Sequence, residues 1–202
     1  DPILTEQDGN TFGVTAVYLE GRRSQVRTQE TNLGNLSSDA NIFIAKQFDP
    51  EVKVAVKNGG GIRASIGEIV EVEPGVYEER PPQTNPKSGK QTGEISQLDI
   101  ANSMRFNNSL TIVPLTAEEL KMIAEHAVAG WVEGSTPGSF GQLGGMAYSF
   151  DPTQQAQVLE KTDGDITGIT TPGERIRSLV VYDENWEPMD VVVQNGEVVG
   201  DP

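Results

Sequence analysis

Thr116-Ala117-Glu118-Glu119 is the most constraining stretch of this 202-residue chain. Threonine followed three residues later by glutamate is a capping box, in which side chains at a helix start reciprocally satisfy backbone donors that have no partner within the helix. Leu120, Ile123, Ala124, Ala127, Val128 and Trp131 continue at helical spacing until Gly130 and Gly134 end the pattern, so a helix is predicted over 116–131. A second helical period runs from Leu33 to Phe48, where Leu36, Ala40, Phe43 and Ile44 share one face, expected to pack on a sheet. Strands are read at Val14–Leu19, Val52–Val56, Gly144–Phe150 and Ser178–Tyr182. No repeat of 20–50 residues interrupts this order. Helices and strands mix without strict alternation, which predicts an α+β fold with a mixed sheet and packed helices.

The length suits one domain. Residues 1–13 are polar and turn-rich and read as a linker from a preceding domain, with the domain proper over 14–202. Residues 71–93 carry Pro74, Gly75, Pro81, Pro82, Pro86, Gly89 and Gly93 among charges without a hydrophobic period, so they read as an inserted surface excursion, expected to be mobile. A start at Asp1-Pro2 and an end at Gly200-Asp201-Pro202 read as those of a fragment of a longer polypeptide.

Thirty acidic residues against 15 basic give a net charge of −15. That balance disfavours a nucleic-acid polymer as partner, because binding one requires a basic face that releases counterions. An anionic small ligand would have to be met by a few locally placed arginines. No apolar run approaches the roughly 20 residues of a membrane span. Cysteine is absent, which removes disulfides, thiolate nucleophiles and zinc–sulfur sites.

Catalytic chemistry has little to work with in these residues. A two-metal hydrolytic site needs several converging His, Asp and Asn ligands, and the chain has a single histidine, His126, next to apolar positions of the 116–131 helix. A Ser-His-Asp triad would need the same histidine, and no G-x-S-x-G elbow presents a serine. Asn58-Gly59-Gly60-Gly61-Ile62-Arg63 follows a strand as a binding loop would, but it lacks the Lys-Ser/Thr of a phosphate-gripping Walker loop and the spacing of a dinucleotide fingerprint.

Three ordered blocks carry a resemblance. The first is Arg27-Thr28-Gln29-Glu30-Thr31-Asn32-Leu33-Gly34-Asn35-Leu36 with Asp39-Ala40; the second is Asn58-Gly59-Gly60-Gly61-Ile62-Arg63; the third is Met104-Arg105-Phe106-Asn107-Asn108-Ser109-Leu110. Together with Gly138 to Asp151 they resemble the C-terminal, nucleotide-recognition domain of the 5′-nucleotidase family, over about residues 14–202. The resemblance implies a substrate site of Arg27, Asn58, Gly60, Gly61, Arg63, Phe106 and Asn108, with Arg23 as a further candidate that some relatives carry and others do not. Chemically the set is apt: glycines let a backbone approach a ligand, arginines donate paired hydrogen bonds to phosphate or ribose oxygens, Phe106 offers a stacking face, and Asn58 and Asn108 could fix a base or ribose edge. Glu30-Thr31-Asn32 reads as scaffold at a helix start.

The third block departs from the family's P-F-G-N-x-L pattern, with Arg105 and Asn107 in place of proline and glycine. Relatives also continue into a second aromatic residue and a G-G-D-G-Y-like loop, so the chain is expected to hold one face of the base clamp and to bind weakly alone. The resemblance implies a secreted or periplasmic phosphoesterase in which an N-terminal metallophosphoesterase domain of the same polypeptide holds two divalent metal ions and hydrolyses the nucleotide. Two alternatives remain: a non-catalytic extracellular binding or structural module, and the same architecture acting on a non-nucleotide phosphoester. Metal-ligand motifs D-x-H and G-N-H-D/E upstream of Asp1 would separate the enzyme from the module.

Overall fold

The computed structural model describes residues 1–200. Helix α5 (Ala117–Ala129) begins where the capping box predicts: Glu119 N–H donates to the Thr116 hydroxyl, and Thr116 N–H donates to Glu119 Oε2 at 2.8 Å. Its apolar face, Ala117, Leu120, Ala124 and Val128, lies in the larger of two cores. The opposing layer is a four-stranded antiparallel sheet in the order β12-β11-β10-β7, formed by β7 (Met146–Phe150), β10 (Ile176–Tyr182), β11 (Pro188–Gln194) and β12 (Glu197–Val198). Leu179 pairs with Tyr148 on one side and Val193 on the other, and the inward side chains Ile176, Leu179 and Val193 are fully buried. The last turn of α5 is closed from outside the helix. Arg175 Nη1 donates to the carbonyls of Val128, Ala129 and Trp131 at 2.8, 3.1 and 2.8 Å, giving the helix's orphan acceptors a cationic partner where the dipole favours one.

The second core joins Leu19, Val26, Leu33, Ile62 and Ile66. It lies among α2 (Arg23–Val26), α3 (Asn32–Ala45) and a short 3₁₀ turn at Gly59–Gly61 that follows β2 (Ala55–Asn58). β2 pairs antiparallel with β6 (Gly141–Gly144). Helix α3 is found where its period predicts, but on a different face. Leu33, Gly34, Ser38 and Ala45 are buried, whereas Leu36, Ala40, Phe43 and Ile44 are exposed, Phe43 at 69 %. The reason is close packing by small residues: a Cβ on Gly34 would collide with the buried Gln142 side chain, and Ser38 Oγ donates to Gln142 O at 3.1 Å.

Residues 1–13, expected as a linker, instead fold onto the domain. Asp1 caps α1 (Pro2–Gly9), and β1 (Thr11–Val14) pairs with β5 (Glu94–Ser96). The strand expected at Val14–Leu19 is therefore shorter and earlier, with only an isolated bridge from Leu19 to Ile66 beyond it. The excursion expected over 71–93 has regular structure in its first half, a hairpin of β3 (Glu68–Glu73) and β4 (Val76–Arg80). Its second half ends in a buried ion cluster. Lys90 Nζ donates to Asp8 Oδ1 (3.2 Å), to the Ser96 hydroxyl (3.3 Å) and to Asp99 in the first turn of α4 (Gln97–Ser103). Burial works against the Asp8 charge, but hydrogen bonds from Ser88 and Asn85 and the Lys90 ammonium lower its pKa to about 2. A further hairpin, β8 (Val158–Thr162) with β9 (Asp165–Thr171), turns at Asp163-Gly164 with φ of 54° and 95°, the left-handed pair an Asp-Gly turn supplies.

The expected α+β class is observed, its strands distributed over five small sheets whose pairs all run antiparallel. No helix among the described residues is long and apolar enough to cross a membrane.

Candidate functional site

Gln142 organises the loops that carry the candidate residues. It is buried, and its amide nitrogen donates to Val26 O at 2.9 Å and Gln29 O at 2.7 Å, which fixes the backbone on both sides of Arg27. Its carbonyl oxygen accepts from Thr31 N–H at 3.1 Å, and Thr31 in turn caps α3. Asn32 straddles the isolated bridge residue Leu19, accepting from Glu20 N–H and donating to Tyr18 O. Thr31 and Asn32 thus tie the start of α3 to its neighbours.

The glycine turn sits against α2 because nothing larger would fit. A Cβ on Gly59 would collide with Val26 O, and one on Gly60 would come within 2.8 Å of Gly138 O. Gly59 N–H donates to Phe140 O (2.7 Å) and Gly60 N–H to Gly138 O (2.9 Å). Gly138 O also accepts from Asn58 Nδ2 at 3.2 Å, so the amide orientation of Asn58 is set and its Oδ1 is left as an acceptor. Gly61 has its α-carbon face towards Asn58 Oδ1.

Arg23, Arg27 and Arg63 converge around this turn. Arg27 is only 8 % exposed. Its Nη1 makes one long contact, 3.4 Å to Thr136 O, and its Nε has no partner at all. Burial, and then the charges of Arg23 and Arg63, lower its pKa. Arg23 Nε donates to the Thr136 hydroxyl at 3.1 Å. Arg63 Nη1 donates to Gly60 O at 3.3 Å, its backbone N–H to Ser103 O at 2.9 Å, and its guanidinium carbon lies 5.7 Å from the centroid of the Phe106 ring. None of the three has a carboxylate within ion-pairing distance among the described residues, although the chain holds twice as many acids as bases. Arg22 marks the contrast: one residue from Arg23, it pairs with both Glu20 and Glu79.

Phe106 is 52 % exposed and borders a pocket of about 340 Å³ with Asn58, Gly61, Asn108 and Lys57. The structure therefore brings Arg23, Arg27, Arg63, Asn58, Gly60 and Gly61 together around one turn, and Phe106 and Asn108 line the adjoining pocket with Asn58 and Gly61. A larger apolar groove of about 820 Å³ runs along residues 110–117 beside Val54 and Val192, and the carboxylates of Asp49, Glu51 and Asp190 line it. The smaller pocket, lined by Lys57 and by no carboxylate and bordering the turn around which the arginines converge, is the better candidate for an anionic ligand. His126 is exposed on α5, and among the described residues no group of three or more His, Asp or Glu side chains is placed to hold a metal ion. Sequence reasoning gave no role to Thr136 or Lys57. Thr136 uses its backbone carbonyl as much as its side chain, which no residue pattern reveals; Lys57 adjoins the glycine loop directly, but Lys53 in the same Val-rich run makes a cation there ordinary in sequence.

The chain matches the family model described as 5′-nucleotidase, C-terminal domain over residues 11–194. It is 33 % identical over 174 residues to the trifunctional nucleotide phosphoesterase YfkN of Bacillus subtilis, covering 83 % of this chain and 10 % of that protein. It is 30 % identical over 145 residues to the human 5′-nucleotidase, covering 69 % of this chain and 21 % of that protein. The 5′-nucleotidase precursor from Thermus thermophilus superposes with a TM-score of 0.63 at 26 % identity, over 94 % of this chain and 29 % of that one. The chain thus spans from a tenth to under a third of the length of these relatives.

Proposed function

Because the chain belongs to the 5′-nucleotidase family as a C-terminal domain, we propose that its arginine cluster and the Phe106 pocket recognise a nucleotide whose phosphoester is hydrolysed elsewhere in the same polypeptide. The observation that carries this reading is Arg27, a buried guanidinium with an unpartnered Nε beside two further arginines and no acid. A buried charge is normally paired, because desolvation costs several kcal/mol that only a partner offsets. An anion supplied by a ligand is the missing partner, and a guanidinium fork suits phosphate or ribose oxygens.

In this reading Arg27, Arg63 and Arg23 hold the phosphate and ribose, Asn58 and Asn108 fix the edge of the base, and Gly60 and Gly61 admit the backbone close to it. The base stacks on Phe106, a contact of about 1–3 kcal/mol that tolerates different bases. Arg63 already covers one face of that ring, so the base takes the open face or displaces the guanidinium. Two divalent metal ions belong to an N-terminal metallophosphoesterase domain, where they would polarise the phosphoester and generate the nucleophile. The work of the present residues is positioning, which converts encounter into a held geometry. We place the protein in the periplasm or outside the cell; a snake-venom 5′-nucleotidase, 28 % identical over 183 residues, is among its relatives.

The test is phosphate release by the full-length polypeptide with divalent metal over a panel of nucleoside monophosphates and diphosphates. Release from at least one is expected. Release from none, or from non-nucleotide phosphoesters alone, would overturn the proposal.

A further inference from the structure

Lys57 lines the Phe106 pocket, and its ammonium has no partner among the described residues. It lies in β2 directly before Asn58, is half-buried, and makes no ion pair or hydrogen bond among the described residues. Its chain runs towards the ligand side of the turn: a methyl group on Gly61 would lie 3.9 Å from Lys57 Cε and 3.3 Å from Asn58 Oδ1. The pocket wall around it is polar but uncharged, with Asn41, Asn108, Ser109 and Thr111, and contains no carboxylate. Burial lowers the lysine pKa, a sign that the ammonium is poorly solvated where it stands.

The chemistry of the two adjacent groups is directional. An ammonium has three donors and no acceptor. Asn58 uses one amide N–H on Gly138 O, which turns Oδ1 to the face of Gly61 where Lys57 Cε also lies, so an acceptor stands on the ammonium's side of the pocket. Donor beside acceptor matches an exocyclic carbonyl beside a ring N–H, the edge shown by hypoxanthine, guanine and uracil. Adenine and cytosine reverse that order, placing an exocyclic amino group where the other bases place oxygen. With the phosphate and ribose held by the arginines on the other side of the turn, the ring has little freedom to slide and correct the mismatch.

We propose that Lys57 is a specificity-determining residue that donates to the exocyclic carbonyl of the base stacked on Phe106, so that oxo-bearing bases are preferred over amino-bearing ones. This rests on the nucleotide reading above. A charge-assisted hydrogen bond contributes about 1.5–3 kcal/mol, so the preference is expected to be about tenfold or greater.

The experiment compares kcat/KM of the full-length polypeptide for IMP against AMP and for UMP against CMP. The wild type is expected to favour IMP and UMP, Lys57→Met to bring both ratios towards one, and Lys57→Arg, which keeps a cationic donor, to retain the preference. A wild type that prefers AMP and CMP or does not discriminate, or a preference that survives in Lys57→Met, overturns the assignment of Lys57. Phe106→Ala separates the two readings. If it lowers activity on all four nucleotides, base stacking stands whatever Lys57 does; if it changes none of them, the nucleotide pocket itself is wrong.

Discussion

Two buried arginines, Arg175 and Arg27, differ by only two percentage points in exposure, 6 % against 8 %, and by almost everything else. Arg175 lies in a finished socket. Its guanidinium reaches three carbonyls at the end of α5 and Gln154 O, while its backbone N–H and that of Ile176 donate to the buried carboxylate of Glu125 at 3.0 and 2.9 Å. Arg27 has one long contact, an unpartnered Nε and two cationic neighbours. Equal burial therefore conceals opposite thermodynamics. The first arginine is satisfied by the fold and contributes to it; the second is held by the fold at a cost, which in the proposed function a bound anion offsets. Composition does not rank them, since both are arginines in an acidic chain; the family motif singles out Arg27, and the structure adds the contrast in partners.

Substitution gives the sharpest way to break this contrast. The largest effect is expected at the finished socket: Arg175→Ala leaves the carbonyls of Val128, Ala129 and Trp131 without their partner and should cost about 3 kcal/mol of folding stability, read by urea denaturation. Loss of activity should then track loss of folded protein. Arg27→Ala is expected to lower kcat/KM for nucleotides by about a hundredfold, as the loss of a charged hydrogen-bonding pair with the ligand implies, while leaving the denaturation midpoint unchanged or raised. Phe106→Ala, at a half-exposed ring, should cost about 1–3 kcal/mol of binding, seen in KM, with stability within about 0.5 kcal/mol of wild type.

The smallest of these effects concerns a third ion cluster that extends the comparison to carboxylates. Asp8 has a folded pKa of about 2 against an ordinary 3.8, so its contribution to stability is present above 3.8 and is lost as pH falls through about 2. Asp8→Asn should therefore reduce stability at neutral pH and flatten the acid limb of the stability profile across that window. An unchanged acid limb in the variant would remove Asp8 from the list of satisfied buried charges.

Helix α5 was legible from sequence because every signal in it is local: the cap, the apolar period and the closing glycines all lie within 116–134. Helix α3 was legible as a helix but not in its orientation, since burial there follows Gly34 and Ser38 against Gln142 more than a hundred residues away. Asp1 as cap and Pro2 in the first turn are start signals for α1, yet a short polar helix has no apolar period to confirm them. Lys90 is buried because Asp8 meets it from 82 residues away, which makes a proline- and charge-rich segment read as an excursion. In the candidate site, the residues named from the sequence do assemble around one turn. What escaped was the work of backbone carbonyls at Thr136 and Gly138, whose direction depends on the fold rather than on residue type.

The central claim is that Arg27 is kept buried for a ligand rather than for the fold, and thermal unfolding with and without a saturating nucleoside monophosphate tests it most directly. Ligand that binds only the folded state raises the midpoint in proportion to its affinity. The wild-type full-length polypeptide is predicted to gain stability on adding nucleotide, while Arg27→Ala starts at the same or a higher midpoint and gains little. An Arg27→Ala variant that unfolds early without ligand, as Arg175→Ala is expected to, and still shows the full nucleotide-induced rise would contradict the account.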